Sequence, residues 1–482
     1  MNGKSLSRRR EFLGAVVLAG TAGLSGCLGS PFADDTDDAD DADEELHPDA
    51  PDELIPEGPT VRLEPVAEGL TYPTDLTGHP DDPGELYVTD ITGQVYRIVD
   101  GERGLLLDIG DSVGVPEGEF SERGLLGIAL HPDFAENGRF YLRYSGTESP
   151  TGASHVEHLS EFVLEDGEVD AEDERSILEL DHPTIIHQSG NVLFGPEGYL
   201  YVPMGDGGGP FDSRPQDWYE TNDGGRAQNT TDDLLGGVLR IDVDGNRDDD
   251  QPYAIPAGNP LVDREAHLDE YYAWGFRNPW GSSFDGEDLY VADVAEGRVN
   301  SVNLVERGGN YSWNVKEGTS CFNTDDVREP RQDCPDETPE DVRGGEQLRD
   351  PVIEYPQEYE DTRYGSAVVG GYVYRGDDIP DIEGAYVFGD WSRQPHGDPD
   401  GVLYVANEDD PRHEYNAERD TWQLHQLVVD GDEDDETPIG EDGELNRYIA
   451  SLGRSGDDIY VLTTATNVVE GETGTVHRLS RT

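Results

Sequence analysis

The hydrophobic positions of this chain fall into short runs rather than long helical stripes. One triplet keeps returning: Leu86-Tyr87-Val88, Phe140-Tyr141-Leu142, Leu200-Tyr201-Val202, Leu289-Tyr290-Val291, Ala385-Tyr386-Val387 with Leu403-Tyr404-Val405 close behind, and Ile459-Tyr460-Val461. Most copies follow a Gly, Asp or Asn turn and lead into another, as in "GPEGYLYVPMGDGG" and "SGDDIYVLTT". Tyr- and Val-rich runs punctuated by Gly and Asp, with almost no helical periodicity, predict an all-β protein.

The triplet recurs every ~50 to 100 residues, longer than the ~40 to 50 of a bare four-stranded propeller blade, so loops must be inserted between or within repeats. Taking Tyr386 and Tyr404 as one unit gives six, and the chain is expected to be a six-bladed β-propeller with its loops around a central channel. A pair of β-sandwiches is the alternative.

Charge changes the picture next. The 482 residues carry 106 acidic against 33 basic side chains, a formal net charge of -73, and Lys4 and Lys316 are the only lysines. Such a surface repels nucleic-acid phosphates, so no nucleic acid is expected as a partner. Molar salt shortens the Debye length to about 3 Å and screens the self-repulsion, which points to a high-salt habitat.

Residues 1–27 read as an address. Arg9 and Arg10 precede a short apolar run rich in Gly and Ala, which ends in Leu24-Ser25-Gly26-Cys27. This is the form of a twin-arginine export signal with a lipobox, predicting a lipid anchor at Cys27 on the extracellular face of the cytoplasmic membrane. Residues 28–60, which include "DDTDDADDADEEL" (Asp34 to Leu46), are expected to be an acidic disordered tether, with the propeller spanning 61–482. The remaining cysteines, Cys321 and Cys334, have no clustered Cys or His partners, and a disulfide between them is favoured over metal binding.

The stretch "TIIHQSGNVLFGPEGYLYVPMGDGG", Thr184 to Gly208, carries the first candidate chemistry. By itself it is a histidine, a hairpin and a glycine-aspartate turn. It belongs to an ordered series, however: "ERGLLGIALHPDFAENGRFYLRYS" (Glu122 to Ser145), "LLGGVLRIDVDG" (Leu234 to Gly245), "YAIPAGNPLV" (Tyr253 to Val262), "YAWGFRNPWGSSFD" (Tyr272 to Asp285), "VNLVERGGNYSWNVKEGTSCF" (Val302 to Phe322) and "GSAVVGGYVYRG" (Gly365 to Gly376).

With these motifs the chain resembles the glucose/sorbosone dehydrogenase family, whose characterised enzymes are six-bladed propellers using pyrroloquinoline quinone (PQQ). The resemblance implies that His187, heading "HQSG", is the general base, with Gln188 beside it in the cofactor site. It implies that Arg277 and Asn278 contact the quinone. It also implies that Ala295 and Glu296 offer main-chain carbonyls to a Ca²⁺ ion. Asp206, in "GDGGG", either binds a structural Ca²⁺ or simply closes a turn. Arg447 stands for the first member of a C-terminal Arg-x-Arg pair that binds the cofactor's carboxylates, but Ile449 occupies the second position. Arg375 or Arg393 is the candidate replacement.

The implied reaction is oxidation of an aldose at its anomeric carbon. A neutral imidazole suits the hydroxyl proton, a cation suits the charge that develops on the acceptor, and hard carbonyl oxygens suit Ca²⁺. The expected partners are a small sugar and an electron acceptor at the membrane side. The missing arginine leaves a second reading, a non-catalytic cell-surface propeller that binds carbohydrate or a partner protein.

Overall fold

The computed structural model describes residues 50–482 apart from 117, 119, 148, 209–217, 220, 223–225, 246–251 and 431–444. The export signal, Cys27 and most of the acidic tether lie outside the described residues.

The described chain is nearly all β. Its α-helices are two short ones, Phe134–Asn137 and Glu414–Arg419. The described strands form a 12-stranded sheet, a five-stranded sheet, two four-stranded sheets and two two-stranded ribbons. Within the 12-stranded sheet the parallel pairings of Glu57–Leu70 with Gln423–Asp430 and of Pro73–His79 with Tyr448–Ser455 separate three antiparallel runs of four, so that six four-stranded antiparallel groups can be traced. Five are made from consecutive text and open with Pro73–His79, Leu125–Leu130, Leu193–Phe194, Pro279–Asp285 and Val368–Val373. The sixth contains Tyr448–Ser455, Asp458–Thr464 and Gly474–Arg481, and takes its fourth strand, Glu57–Leu70, from the other end of the described chain. Glu57–Leu70 pairs antiparallel with Gly474–Arg481, from Val61 opposite Arg481 to Leu70 opposite Gly474.

That pairing corrects the expected start of the ordered region at Val61. Leu54 and Ile55 are buried in the core, and the strand begins at Glu57. The proline-rich text there conceals an apolar pair and a strand whose register is supplied by a distant partner.

The tyrosine triplets occupy the second strand of each group, and Leu403-Tyr404-Val405 the third strand beside Tyr386, as their joint count requires. Alternation along a strand turns each tyrosine onto a sheet face. There it meets the next group: Tyr141 packs on Phe194 at 5.5 Å between ring centres, Tyr201 on Phe284 at 5.1 Å and Tyr290 on Tyr386 at 4.9 Å. Each such pair contributes about 0.5–1.5 kcal/mol beyond its buried area. The repeat visible in the sequence is therefore the cement between sheets.

The opening strands of the groups approach one another closely. A Cβ on Gly281 would stand 2.2 Å from the Val369 carbonyl oxygen, and Gly370 has φ +84, so side chains are excluded from this seam. Elsewhere the seams are polar: Thr74 donates to the Leu125 carbonyl at 2.7 Å, and Asn191 exchanges two hydrogen bonds with the Ser282 backbone at 2.8 and 2.9 Å. Thr77 pairs with Arg454, which joins the first group to the last.

Candidate active site

The site lies where the opening strands begin, around a small cavity of about 20 Å³ lined by Thr74, Glu122, Ser189, Trp280 and Ala450. His187 is held there in a strained loop, with φ +59 at His187 and +68 at Ser189. Left-handed conformations at non-glycine residues cost energy, and the surroundings must over-determine them. Two residues from other groups do so. The Glu122 carboxylate accepts from the His187 amide at 2.6 Å and the Gln188 amide at 3.4 Å, while the Asn278 side-chain oxygen accepts from the Ser189 amide at 2.9 Å. Asn278 also reaches Glu122 at 3.4 Å, so the clamp is continuous.

The His187 ring is almost wholly buried, and its Nδ1 lies 2.6 Å from Asp206 Oδ1. Asp206 Oδ1 also accepts from the Gly208 amide at 2.8 Å, and Oδ2 accepts from Trp313 Nε1 at 2.8 Å. Burial pushes the Asp206 carboxyl up, but the His187 ring and these hydrogen bonds outweigh it and hold the group below the usual carboxylate range. An ionised Asp206 fixes the proton on Nδ1, which leaves Nε2 as the acceptor; among the described residues no protein donor binds Nε2. Asp206 thus closes its turn and orients His187. Its oxygens serve the ring, the turn and Trp313.

Arg277 is buried with its guanidinium 5.8 Å from the Trp313 ring centre. Its Nε and Nη2 donate to Glu296 at 2.9 and 2.5 Å, and Nη1 donates to the Val294 carbonyl at 3.0 Å. Burial opposes its charge, yet Glu296 and Asp206 more than compensate and raise its pKa. The Arg277 and Asn278 amides both donate to Asp293, which burial still pushes up to about 6.

The expected calcium loop is strongly shaped. Glu317 Oε1 accepts from the amides of Glu296, Gly297 and Arg298 at 2.9, 2.9 and 3.3 Å, and Asn300 takes the Ala295 amide at 3.1 Å. With the amides engaged, the Ala295 and Glu296 carbonyl oxygens accept no protein hydrogen bond among the described residues. Two unsatisfied main-chain oxygens fit a hard cation. No three His, Cys, Asp or Glu side chains group as a metal site among the described residues, so carbonyls would be the ligands.

Two expected cofactor residues are not brought to this cluster. Gln188 is fully buried and turned away: its oxygen meets His155 Nε2 at 2.9 Å and its amide donates to the Ile186 carbonyl at 3.1 Å. The adjacent Arg143, also fully buried, explains this by drawing the Gln188 and Pro203 carbonyls inward, the latter at 2.6 Å. Arg447 is half-buried beside Glu68 and His477 in the last group, and its Nη1 reaches only the Asn446 carbonyl at 3.5 Å. The candidate substitutes are committed elsewhere, Arg375 to Asp285 and Arg393 to Asp400 at 2.7 Å.

Glu122, Trp313 and Glu317, which shape this cluster, were not singled out in the sequence although all three stand inside the quoted motifs. Their roles depend on contacts with residues at least 19 positions away, which spacing does not reveal. The disulfide expected between Cys321 and Cys334 is present, with Cα atoms 5.6 Å apart. It ties the loop that follows to the end of the short hairpin in which Lys316 pairs with Cys321, next to Glu317.

Comparison with known proteins gives this geometry a family. The HIPL1 protein of Arabidopsis thaliana is 30% identical over 399 residues, covering 71% of this chain and 53% of its own. The human Hedgehog-interacting protein is 27% identical over 339 residues, covering 68% of this chain and 42% of its own. The chain thus spans about half the length of the curated relatives it matches. The PQQ-bound form of aldose sugar dehydrogenase from Streptomyces coelicolor shares the fold, with a TM-score of 0.56 and 19% identity over 88% of this chain and 99% of that one. The profile of the "Glucose / Sorbosone dehydrogenase" family matches residues 70–395, and the chain belongs to that family.

Proposed function

We propose that this chain is a six-bladed β-propeller and an exported, lipid-anchored dehydrogenase that oxidises aldoses at the anomeric carbon with PQQ and Ca²⁺. The propeller reading is supported by six four-stranded groups, by the seams between successive opening strands and by the Thr77–Arg454 pairing of first and last. The catalytic reading is carried by one observation: His187 is locked by Asp206 with Nε2 left as acceptor, beside Arg277 and Asn278 from another group.

Nε2 of His187 takes the proton of the anomeric hydroxyl, and the imidazolium is stabilised by the ionised Asp206 at Nδ1. PQQ, when bound, supplies the hydride acceptor, and Ca²⁺ a Lewis acid. Arg277 and Asn278 would face the cofactor, and the Ala295 and Glu296 carbonyls would hold the cation. Trp313 keeps the carboxylate of Asp206 in place. Burial of the dyad excludes water and strengthens its electrostatics.

The test is reconstitution with PQQ and Ca²⁺ in molar salt, followed by sugar-dependent dye reduction over an aldose panel. Activity in the wild type and its loss in His187→Ala is expected; inactivity with every sugar, or full activity in the variant, overturns the proposal. Labelling of Cys27 by a radioactive fatty acid, abolished in Cys27→Ser, tests the anchor separately.

One observation favours the second reading, a non-catalytic surface propeller. Arg277 is already neutralised by Glu296, and Arg447, Arg375 and Arg393 point elsewhere. A tricarboxylate would then meet one compensated cation. A tight calorimetric complex with PQQ excludes this reading.

A further inference from the structure

The opening strands that start at His187's end of the molecule finish around a second cavity, of about 220 Å³. Each of the six groups contributes to its wall, through Asp75, Ala129, Val192, Ser282, Tyr372 and Arg454. At ~30 Å³ per water it holds about seven non-hydrogen groups.

Its polar side chains offer hydrogens. The Arg454 guanidinium lies 5.3 Å over the Tyr372 ring and, among the described residues, makes no ion pair or hydrogen bond. In a chain with 106 acidic side chains, a partner was available at almost any position. Several arginines inside the fold have taken one, Arg143 with Glu157 at 3.1 Å, Arg277 with Glu296 at 2.5 Å and Arg298 with Glu317 at 2.9 Å, whereas Arg123 and Arg447, like Arg454, make no ion pair among the described residues. Ser282 is 2% exposed, and its hydroxyl has no hydrogen-bond partner. The Tyr372 hydroxyl likewise has no protein partner among the described residues.

An acid in the wall would normally repel an anion. Asp75 does not at neutral pH, because burial pushes it up to about 8 even though the Ile128 and Leu76 amides both donate to it at 2.9 Å. Phe194 and Phe284 add apolar wall.

A planar guanidinium with a hydroxyl donor beside it recognises a carboxylate by parallel hydrogen bonds. We infer that this cavity is a binding site for a small carboxylate of at most about seven non-hydrogen atoms, seated on Arg454 with Tyr372 as a further donor. It is separate from His187 and does not depend on the dehydrogenase reading.

The experiment is calorimetric titration of sodium L-lactate into the full chain, with lactamide as the uncharged counterpart. Saturable one-to-one binding of lactate, absence of lactamide binding, and at least about tenfold weaker binding in Arg454→Gln are expected, as for loss of one charged hydrogen bond. Tyr372→Phe, which keeps the ring under Arg454, gives a gentler second reading with about threefold weakening. His187→Ala leaves the affinity unchanged. No saturation, equal binding of lactamide, full affinity in Arg454→Gln, or loss in His187→Ala would overturn the assignment.

Discussion

Arg277 and Arg454 stand near opposite ends of the same bundle of opening strands and have opposite surroundings. Arg277 is clasped by Glu296, caps the Val294 carbonyl and sits among Asp206, Asp293 and Glu317, every one of them engaged. Arg454 has a tyrosine ring and a cavity. At the first end acids outnumber the cations, and the polar network fixes geometry: His187 and Ser189 are held by a carboxylate and an amide from other groups, and the Ala295–Arg298 loop by Glu317 and Asn300. At the second end one cation is surrounded by donors. The difference separates a preorganised proton-handling cluster from an anion receptor, although both are built from the same repeat.

The largest expected effect breaks the first end alone. His187→Ala or Asp206→Ala should lower sugar-dependent dye reduction by about 10²- to 10⁴-fold, the usual contribution of a positioned base, and leave lactate binding intact. A parallel loss of lactate binding would show that the two ends are not independent.

Reduction of the Cys321–Cys334 bridge should come next. Closing a loop of this size contributes about 3 kcal/mol in the chain-entropy account, read as a lower midpoint in denaturant. Because Cys321 ends the hairpin that carries Glu317, calcium affinity should fall while lactate affinity holds. Equal loss at both ends would mean global loosening.

Proton linkage sharpens the far end. Asp75 is raised to about 8, so stability is greatest below the ordinary carboxyl value and declines as pH rises toward 8, where the folded-state group ionises. Asp293 and Asp390, each raised to about 6, add declines that finish earlier. Each buried acid contributes at most about 1.4 kcal/mol per pH unit across its window. Denaturant melts from pH 5 to 8 in molar salt should therefore show falling stability, with a shallower slope in Asp75→Asn. An unchanged slope would remove Asp75 as the source.

The smallest effect concerns the clasp on Arg277. Glu296→Gln keeps the carbonyl of that residue and releases the guanidinium, so PQQ should bind about tenfold more tightly, corresponding to about 1.4 kcal/mol. Weaker binding in calorimetry would instead assign Glu296 a direct part in holding the cofactor or its cation.

How much of this was legible depends on the range of the interaction. The tyrosine triplets announced the strands because alternation is local. His187, Arg277 and Asn278 were found through motif order, and the structure gathers them. Gln188 and Arg447 were misplaced because neighbours distant in sequence decide which way a side chain turns: Arg143, His155 and His182 around the one, Glu68 and His477 around the other. The strand from Glu57 escaped notice because its partners lie at the far end of the chain. Arg454 carried no signal at all. Its place at a cavity over the Tyr372 ring is set by strands far apart in sequence, which a sequence does not display.

In the proposed reaction His187 takes the hydroxyl proton while a hydride leaves the anomeric carbon. The most direct measurement is turnover of the PQQ- and Ca²⁺-loaded chain with an aldose deuterated at that carbon. A several-fold slowing relative to the unlabelled sugar, with deuterium lost from the product lactone, is the predicted result. Cofactor reduction that proceeds at the same rate with either sugar and in His187→Ala, or no reduction with any aldose, would contradict it.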